Sequence, residues 1–443
     1  MGFGSYTPGF GRASWTVGAI GKNDDLVPII VGAQAGLVSQ PGAPTKTVKV
    51  MKNTCREQCR TMRFQMFEMD ALAAQSEAQG RDVIRLAVGI SQEPTPETVV
   101  SAICRALTDK SHSQEVLPFG LPELREKIAL HYSTLAKSRW ETGDVYVAPG
   151  TSSLYVRLFP LLLEPGDRVL LPRPYYPLYL YASFLASAIP RFYDIDPSTG
   201  ALDLDTLEDI VRAERPRLML INSPGNPIGN ILLPAQLERL AELAQRHQTF
   251  LWSDETYGNM DFTGAWRSLA SVGFNPETTL ITNGFSKGYR MYQRRVGYCL
   301  TKSRVVKELL ESALQNTVLT ADPAAQHGAL EALAHPEYVL ELRELYRQRA
   351  QQLLGALNAK RVEAIPPRGG FNALLDCRQA LRAARFKNSV ELAQDILNQT
   401  FVAVTPGVDF GIEGYLRLTL TNQRFPEAVN RLNAYFKALP DEK

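Results

Sequence analysis

Short apolar runs alternate with helical segments from about residue 144 to residue 300. Six of these runs have the length and composition of buried strands: Val145–Ala148, Arg168–Leu171, Arg217–Ile221, Phe250–Trp252, Thr279–Ile281 and Gly297–Leu300. Strands that alternate with helices form a mostly parallel sheet covered by helices. The pattern therefore predicts an α/β fold for this part of the chain.

The regions on either side of this core have different patterns. Residues 51–80 are predicted to be helical, and residues 325–357 are predicted to form long helices before shorter strand-like pieces. We interpret these flanks as parts of one smaller α+β domain. Residues 1–50 are rich in Gly and Pro, so we expect a flexible or partner-wrapping arm there, or a true start at Met51 or Met62. The predicted division is an arm (1–50), the N-terminal part of the small domain (51–95), a large ligand-binding domain (96–320) and the C-terminal part of the small domain (321–443).

Composition excludes several functional classes. The 443 residues are 45% hydrophobic and 21% charged, which is typical of a soluble globular protein. A net charge of +2 gives no attraction for nucleic acid or an anionic membrane. No apolar run approaches the roughly 18 residues that span a bilayer, and the N-terminus lacks a signal-peptide pattern.

The cysteines and histidines do not form a metal-binding pattern. The five cysteines are scattered and odd in number, which favours reduced thiols in a cytoplasmic compartment. Cys55 and Cys59 are spaced to share a helix face, but no further Cys or His completes a metal site. The five histidines lie outside the motifs below, so neither a zinc site nor histidine-based catalysis is expected.

The stretch N-G-F-S-K-G-Y-R-M-Y-Q-R-R-V-G-Y, from Asn283 to Tyr298, is the organising motif. Lys287 follows a buried strand, where α/β folds place ligand chemistry. Burial lowers the pKa of a lysine and makes its amine nucleophilic, so Lys287 is a candidate Schiff-base former. Arg295, eight residues on, can hold a phosphate by two parallel hydrogen bonds. Taken alone, Lys287 and Arg295 could be exposed loop residues. The residues at the other strand ends are needed to choose between the two interpretations.

Two further strand ends carry phosphate-binding and aromatic residues. Gly150 permits close backbone approach, and Thr151 and Ser152 offer hydroxyls and amides at a helix N-terminus, which suits a phosphate or an ordinary helix cap. After the next strand comes P-R-P-Y-Y-P-L-Y. Its tyrosines, Tyr176 among them, can stack on a ring or pack in the core.

The loops after the next two strands carry an amide, a carboxylate and a phenol. Asn226 precedes Pro227 in a rigid turn and can aim its amide at a phenolic oxygen, although a plain β-turn is the alternative. Asp254, on a buried strand end, needs a partner. A protonated pyridine nitrogen is one such partner, and capping of the following loop is the other interpretation. Tyr257 lies three residues on and can reach a ring hydroxyl.

Arg417 lies near the C-terminus in E-G-Y-L-R-L-T-L-T, a run that alternates apolar and polar residues. An arginine that faces inward from a strand is costly unless it is paired. A substrate carboxylate can supply the pairing through two hydrogen bonds. The alternative is a solvent-facing arginine on a half-exposed strand.

Taken together, the motifs resemble the class I/II aminotransferases of fold type I, which use pyridoxal phosphate, over roughly residues 80–440. The matching segments are G-I-S-Q-E-P-T-P, F-G-L-P-E-L-R, N-P-I-G, S-D-E-T-Y, F-S-K with an arginine eight residues later, and P-G-V-D-F-G followed by an arginine. The resemblance implies a three-layer αβα large domain with a mostly parallel seven-stranded sheet, a smaller α+β domain and a homodimer. It also implies that an α-amino acid and a 2-oxo acid are the small-molecule partners.

The resemblance assigns a role to each site residue. It implies that Lys287 binds the cofactor aldehyde and acts as general base. It implies that the phosphate is held by Gly150, Thr151, Ser152 and Arg295, the ring by Tyr176, Asn226, Asp254 and Tyr257, and the substrate by Gly89, Asn226 and Arg417.

Departures from the family pattern leave the reaction open. Gly284 stands where the family usually has Ser or Thr, and Ser111–Phe119 lacks the usual tyrosine, with Glu115 near its place. Arg294 is a second cation that can compensate at the phosphate. These changes motivate an alternative to transamination: elimination or cyclisation of a functionalised, arginine-like amino acid. A third hypothesis is a non-catalytic regulator with the same fold. Such regulators carry a DNA-binding domain, but residues 1–80 lack a basic helix-turn-helix pattern.

Overall fold

The computed structural model describes residues 16–20, 27–31, 54–109, 117–136, 138–384 and 386–440. The chain divides into two compact units, residues 1–63 and residues 64–443. In the first unit, strands β1 (Thr16–Ile20) and β2 (Val27–Val31) pair antiparallel, and helix α1 spans Thr54–Thr61. Apart from these two strands, the predicted arm over residues 1–50 lies outside the described residues.

The second unit contains the remaining described strands and helices. Its strands are β3 (Ile84–Arg85), β4 (Val145–Pro149), β5 (Arg168–Arg173), β6 (Ile189–Asp194), β7 (Leu218–Asn222), β8 (Phe250–Asp254), β9 (Thr279–Gly284), β10 (Val296–Leu300), β11 (Glu363–Ile365), β12 (Asn372–Asp376), β13 (Val402–Ala403), β14 (Thr405–Pro406) and β15 (Tyr415–Thr419). Its helices are α2 (Gln65–Ala78), α3 (Glu97–Thr108), α4 (Pro122–Leu135), α5 (Thr151–Leu162), α6 (Pro177–Leu185), α7 (Leu204–Glu214), α8 (Pro234–Arg246), α9 (Arg304–Thr317), α10 (Pro323–Ala334), α11 (Glu337–Ala356), α12 (Arg378–Ala384), α13 (Ser389–Thr400) and α14 (Phe425–Ala438).

Seven strands form the main sheet, in the order β4-β10-β9-β8-β7-β5-β6. Strands β5 to β9 pair parallel with their neighbours, and only β10 within this sheet runs antiparallel to both β4 and β9. This arrangement confirms the predicted α/β class and its mostly parallel seven-stranded sheet. All six predicted strands are present. The seventh, β6, lies at the edge and is mostly only half-buried, so its apolar pattern is weak.

The central strands are buried on both faces because helices cover the sheet. Every residue of β7, β9 and β10 is buried, which explains why these strands read as continuous apolar runs rather than alternating ones. The carboxyl ends of the parallel strands meet at one edge of the sheet. That edge is where polar side chains from separate loops converge.

A second, antiparallel sheet has the order β11-β12-β15-β14, and β13 pairs parallel with β3. The helix predicted over residues 51–80 is two helices, α1 and α2, because the backbone is extended at Phe64. The helical region predicted over 325–357 corresponds to α10 and α11, which are separated at Pro336. The predicted domain boundaries at residues 95 and 320 stay a prediction. Within the described ranges, no helix has both the length and the apolar character needed to cross a bilayer.

Candidate active site

One cavity at the carboxyl edge of the main sheet collects the predicted site residues. The following ten line it: Gly89, Thr151, Ser152, Tyr176, Asn226, Asp254, Tyr257, Lys287, Arg295 and Arg417. The eleventh predicted residue, Gly150, lies directly behind Arg295. These residues come from segments more than three hundred positions apart, so the fold rather than local sequence brings them together.

Lys287 follows β9 and projects into the cavity. Its Nζ donates a hydrogen bond to the carbonyl of Gly89 at 3.1 Å. The same nitrogen lies 4.8 Å from the ring centre of Phe371. Burial lowers the pKa of the Lys287 amine to about 7, and the positive charges of Arg417 and Arg295 add to this effect. A substantial fraction of the amine is therefore neutral and nucleophilic at neutral pH, as the sequence predicts.

Asp254 ends β8 and is only 5% exposed. Its Oδ2 accepts two short hydrogen bonds, from the hydroxyls of Tyr155 and Tyr179, each at 2.6 Å. Its Oδ1 accepts a backbone N–H from Thr256 at 2.9 Å. Burial raises the pKa of both phenols well above the ordinary value, so both remain protonated donors. Asp254 thus caps the following loop and also lines the cavity; the two interpretations of this residue are compatible.

Tyr155, on α5, is fixed by its surroundings. Its ring stacks on Trp252 with centres 4.8 Å apart. Its hydroxyl lies 3.1 Å from the Oγ1 of Thr282, which also accepts a hydrogen bond from the Trp252 indole N–H at 3.0 Å. Because ring and hydroxyl are both held, Tyr155 restricts the orientation of the Asp254 carboxylate.

Asn226 and Tyr257 lie on loops beside Asp254. The backbone N–H of Asn226 donates to Asn222 Oδ1 at 2.8 Å, and Asn222 Nδ2 donates to the Asp254 carbonyl at 3.0 Å. The side-chain Oδ1 of Asn226 is buried and has no hydrogen-bond partner among the described residues. Tyr257 is buried edge-on against Phe371, and burial raises the pKa of its phenol. An unpaired buried amide next to a protonated phenol is suited to a ligand oxygen.

Arg295 precedes β10 and adopts the left-handed region with φ of 53°. Its Nη2 donates to Ser152 Oγ at 3.0 Å, and its Nη1 donates to the Tyr292 carbonyl at 3.0 Å and to Ser286 Oγ at 3.3 Å. No ion pair joins this guanidinium to a carboxylate in the described part of the chain. A cation surrounded by hydroxyls, beside the N-terminus of α5, is an anion site.

Glycines allow the backbone to pack closely at this anion site. A Cβ on Gly150, whose φ is +77°, would lie 2.3 Å from Arg295 Nη2. A Cβ on Gly284 would lie 3.5 Å from the Thr151 methyl and 3.1 Å from Gly297 Cα. A side chain at position 284 would therefore be tight against the backbone of β10 at Val296 and Gly297, and only in ordinary contact with Thr151. Ser286, two residues further on, is the nearby hydroxyl that lines the cavity instead.

Arg417 lies in β15, every residue of which is buried, so the solvent-facing alternative is wrong. Its Nη1 donates to Asn372 Oδ1 at 3.3 Å, and its Nη2 donates to Thr405 Oγ1 at 2.9 Å and to the Ala87 carbonyl. Its Nε is buried without a partner, and no described carboxylate forms an ion pair with the guanidinium. Burial lowers the pKa of this group to about 10. The charge of Asp409 acts on Arg417 and partly offsets this lowering of its pKa, without forming an ion pair.

The structure does not bring every predicted residue to the site. Arg294 is exposed and does not line the cavity, so the expected compensation at the phosphate is not present. Glu115 and the segment around it lie outside the described residues. Glu93, in the segment G-I-S-Q-E-P-T-P, pairs with Arg349 Nη2 at 3.2 Å.

Sequence reasoning missed or left unassigned several residues that line the same cavity. They are Asn222, Tyr155, Tyr179, Ser286, Tyr292 and Asp409. Ser286 and Tyr292 lie within the organising motif, so proximity to Lys287 was a usable signal for them. Asn222 ends β7 one strand away from Asp254, which is also a usable signal. Asp409 lies in the segment P-G-V-D-F-G, which was a usable signal, whereas nothing local marks Tyr155.

The chain belongs to the family described as aminotransferase class I and II, which it matches over residues 81–432. It is 33% identical to the aspartate/prephenate aminotransferase of Thermus thermophilus over 363 residues, covering 79% of this chain and 90% of that protein. It is 32% identical to a probable aspartate/prephenate aminotransferase of Thermus aquaticus, with the same coverage. A solved Thermus thermophilus aspartate aminotransferase variant superposes with a TM-score of 0.78 at 29% identity, covering 86% of this chain and 98% of that chain.

These comparisons confirm the resemblance and the prediction that the chain is an enzyme. The protein is an aminotransferase, and its family uses pyridoxal phosphate. In the described residues, no group of three or more His, Cys, Asp or Glu side chains could hold a metal ion.

Proposed function

We propose that this chain transfers the amino group of an α-amino acid to a 2-oxo acid, with pyridoxal phosphate held in the cavity described above. The observation that carries the proposal is the pair formed by Lys287 and Arg417. One is a buried amine with a pKa of about 7, and the other is a buried guanidinium whose Nε has no hydrogen-bond partner among the described residues. Both line one cavity. An amine and a carboxylate clamp are what an α-amino acid requires.

The residues present fit the cofactor. Arg295, Ser152 and Ser286 form a cationic, hydroxyl-rich cradle at a helix N-terminus, which suits a phosphate. The Oδ1 atom of Asn226 is buried and has no hydrogen-bond partner among the described residues. After rotation of that amide its N–H₂ can donate to a ring oxygen. Asp254 would hold the protonated ring nitrogen, Tyr257 would share the ring oxygen, and Tyr176 would cover the ring face.

When bound, pyridoxal phosphate supplies an aldehyde carbon and a ring that draws electron density from the substrate α-carbon. The protein's own contribution is positioning and proton transfer. Lys287 Nζ would accept and return the proton of the substrate α-carbon, which a base with a pKa near neutrality does efficiently. Asp254 would stabilise positive charge at the ring nitrogen, and Arg417 would fix the α-carboxylate by paired hydrogen bonds.

A single-turnover experiment tests the proposal. The purified protein is loaded with pyridoxal phosphate and mixed with one amino acid in the absence of a 2-oxo acid. We expect one equivalent of 2-oxo acid per active site, no free ammonia, and reversal on addition of a 2-oxo acid. Continuous release of ammonia without an acceptor would overturn transamination in favour of elimination or cyclisation. In the described residues, nothing favours that alternative.

Two variants separate catalysis from folding in this experiment. Lys287→Ala is expected to reduce the single-turnover rate by about 10⁴-fold, because both nucleophile and base are lost. Lys302→Ala removes a surface amine that hydrogen bonds to the Arg139 carbonyl at 2.6 Å, and it is the matched control. Equal rates for the two variants would contradict the assignment of Lys287.

We also propose that the enzyme is a homodimer and acts in the cytoplasm. The family resemblance supports the first, and the scattered, odd-numbered cysteines support the second. Sedimentation equilibrium of the loaded protein tests the dimer, and a monomer at micromolar concentration would contradict it.

A further inference from the structure

The first turn of α2 forms an apolar wall beside the substrate carboxylate clamp. Phe64, Met66 and Phe67 all line the cavity. The Arg417 Nη2 atom lies 3.3 Å from the Met66 sulfur, so this wall lies next to the clamp. We call these three residues the α2 wall.

The α2 wall presents aromatic surface to the cavity. The rings of Phe64 and Phe67 stack with centres 6.1 Å apart and planes 25° apart. Phe67 is nevertheless 54% exposed, which is unusual for a ring of this size at the edge of a cavity. Apolar surface left open in a polar-rimmed cavity is a binding surface for an apolar ligand group.

The cations of the cavity are already committed. Lys287, Arg295 and Arg417 are the three Lys or Arg residues among its described lining. They serve the amine chemistry, the phosphate and the α-carboxylate, respectively. A second carboxylate on the substrate side chain would find no further cation in this lining, and an unpaired charge there is costly.

Asp409 adds a negative charge to the same cavity. Burial raises the pKa of this carboxyl to about 6, so it is ionised at pH 8 and repels an acidic side chain. Its two oxygens accept the backbone N–H groups of Gln65 and Met66, each at 2.8 Å. The positive charge of Arg417 already acts on Asp409, so this carboxylate is not a free anion for a cationic substrate side chain.

We infer, on the basis of the proposed function, that the amino acid this enzyme prefers carries an aromatic side chain, which packs against the α2 wall. Arg417 holds the α-carboxylate, and the stacked rings of Phe64 and Phe67 contact the substrate ring. Acidic side chains are disfavoured because the described lining holds no further cation, and guanidinium side chains because Asp409 already faces the charge of Arg417.

The test compares amino acids on the enzyme loaded with pyridoxal phosphate. Single-turnover kcat/KM values at pH 8 are measured for phenylalanine, tyrosine, alanine, aspartate and arginine. We expect phenylalanine or tyrosine to exceed aspartate and arginine by at least about tenfold. If the protein processes alanine, and if it also processes aspartate or arginine as fast as phenylalanine, this inference alone is overturned. A protein that processes none of them overturns the proposed function as well.

Variants of the α2 wall test whether its residues cause the preference for an aromatic side chain. Phe67→Ala is expected to lower kcat/KM for phenylalanine by about tenfold and to change that for alanine by less than about threefold. Phe67→Arg should raise kcat/KM for aspartate by supplying the missing cation. The matched control is Leu340→Ala, an exposed apolar residue on α11 that does not line the cavity. Equal losses for phenylalanine and alanine in Phe67→Ala would overturn the inference.

Discussion

Asp254 and Arg417 are buried, opposite charges on the wall of one cavity, and their surroundings differ. Asp254 has both oxygens hydrogen bonded within the chain, two of the bonds from phenols at 2.6 Å. Arg417 has a buried Nε without a partner among the described residues, and Asp409 acts on its charge without forming an ion pair. One charge is held in place, and the other is left incomplete.

The difference matches the two kinds of ligand proposed for the cavity. A cofactor that stays bound through many turnovers benefits from a carboxylate whose orientation is fixed beforehand. A substrate that must enter and leave benefits from a site that is complete only when it is bound. Burial does not distinguish the two ends of the site, whereas the hydrogen bonds already made within the chain do.

Asp254→Asn tests the end of the site at which the carboxylate is held by hydrogen bonds. The amide keeps the size of the side chain but removes the charge that stabilises a protonated ring nitrogen. We expect kcat to fall about 10³-fold. Steady-state rates with a saturating amino acid measure the effect. Asp261→Asn, a buried aspartate that accepts the N–H groups of Thr263 and Trp266, is the control and should retain its rate. A loss below tenfold in Asp254→Asn would contradict the role of this charge.

Lys287→Met tests how much burial of the Lys287 amine lowers the free energy of unfolding. The pKa of Lys287 is lowered to about 7, so the unfolded chain binds a proton that the folded chain lacks between pH 7 and the ordinary lysine value. Stability therefore rises with pH across that window, and the cost is fully present below pH 7. We expect the stability gain from Lys287→Met in cofactor-free protein to be about 3 kcal/mol larger at pH 6.5 than at pH 10. Urea unfolding at both pH values measures it, and a gain independent of pH would contradict the shift.

Arg417→Lys tests whether Arg417 binds the substrate carboxylate through two hydrogen bonds. Lysine keeps the charge but cannot form two parallel hydrogen bonds to a carboxylate. We expect kcat/KM for the amino acid to fall about 10²-fold, mostly through a higher KM. Arg349→Lys is the control, because Arg349 is buried and paired with Glu93 but does not line the cavity. A fall in kcat with an unchanged KM would contradict the carboxylate role.

Tyr155→Phe and Tyr179→Phe loosen the held end without removing its charge. Each substitution deletes one of the two phenol donors to Asp254 Oδ2, and we expect about a tenfold loss in kcat. Because the donors share an oxygen, the double variant should depart from additivity. The pH at which the absorbance of the bound cofactor changes should shift in each variant. Tyr193→Phe, whose hydroxyl donates to the Leu220 carbonyl at 3.0 Å, should not shift it.

Much of the site was predictable because its residues follow strands that are buried on both faces. Such strands stand out as apolar runs, and the polar residue after each run lies at the functional edge of the sheet. Lys287, Asp254 and Asn226 were found in this way. Arg417 was harder, because β15 reads as an alternating strand although the structure buries all of it.

The hydrogen bonds that distinguish the two ends could not be predicted. The Tyr155 hydroxyl reaches Asp254 across 99 positions, and Asp409 reaches Gln65 across 344. Tyr155 lies on an apolar helix face, where a tyrosine reads as core packing. The edge strand β6 was missed for a related reason, since partial exposure removes the apolar signal on which strand prediction depends.

The pairing of the antiparallel strand β10 restricts insertions and deletions in the preceding loop. This strand pairs Val296 with Pro149 and Gly297 with both Ala148 and Gly284, which sets Arg295 beside the start of α5. Because the register of the buried strand β10 resists slipping, insertion or deletion of one codon between Lys287 and Val296 would instead displace Lys287 relative to Arg295. Lineages derived from this enzyme should therefore keep the eight-residue spacing, while tolerating indels around Gly264, where a Cβ would meet nothing within 4 Å.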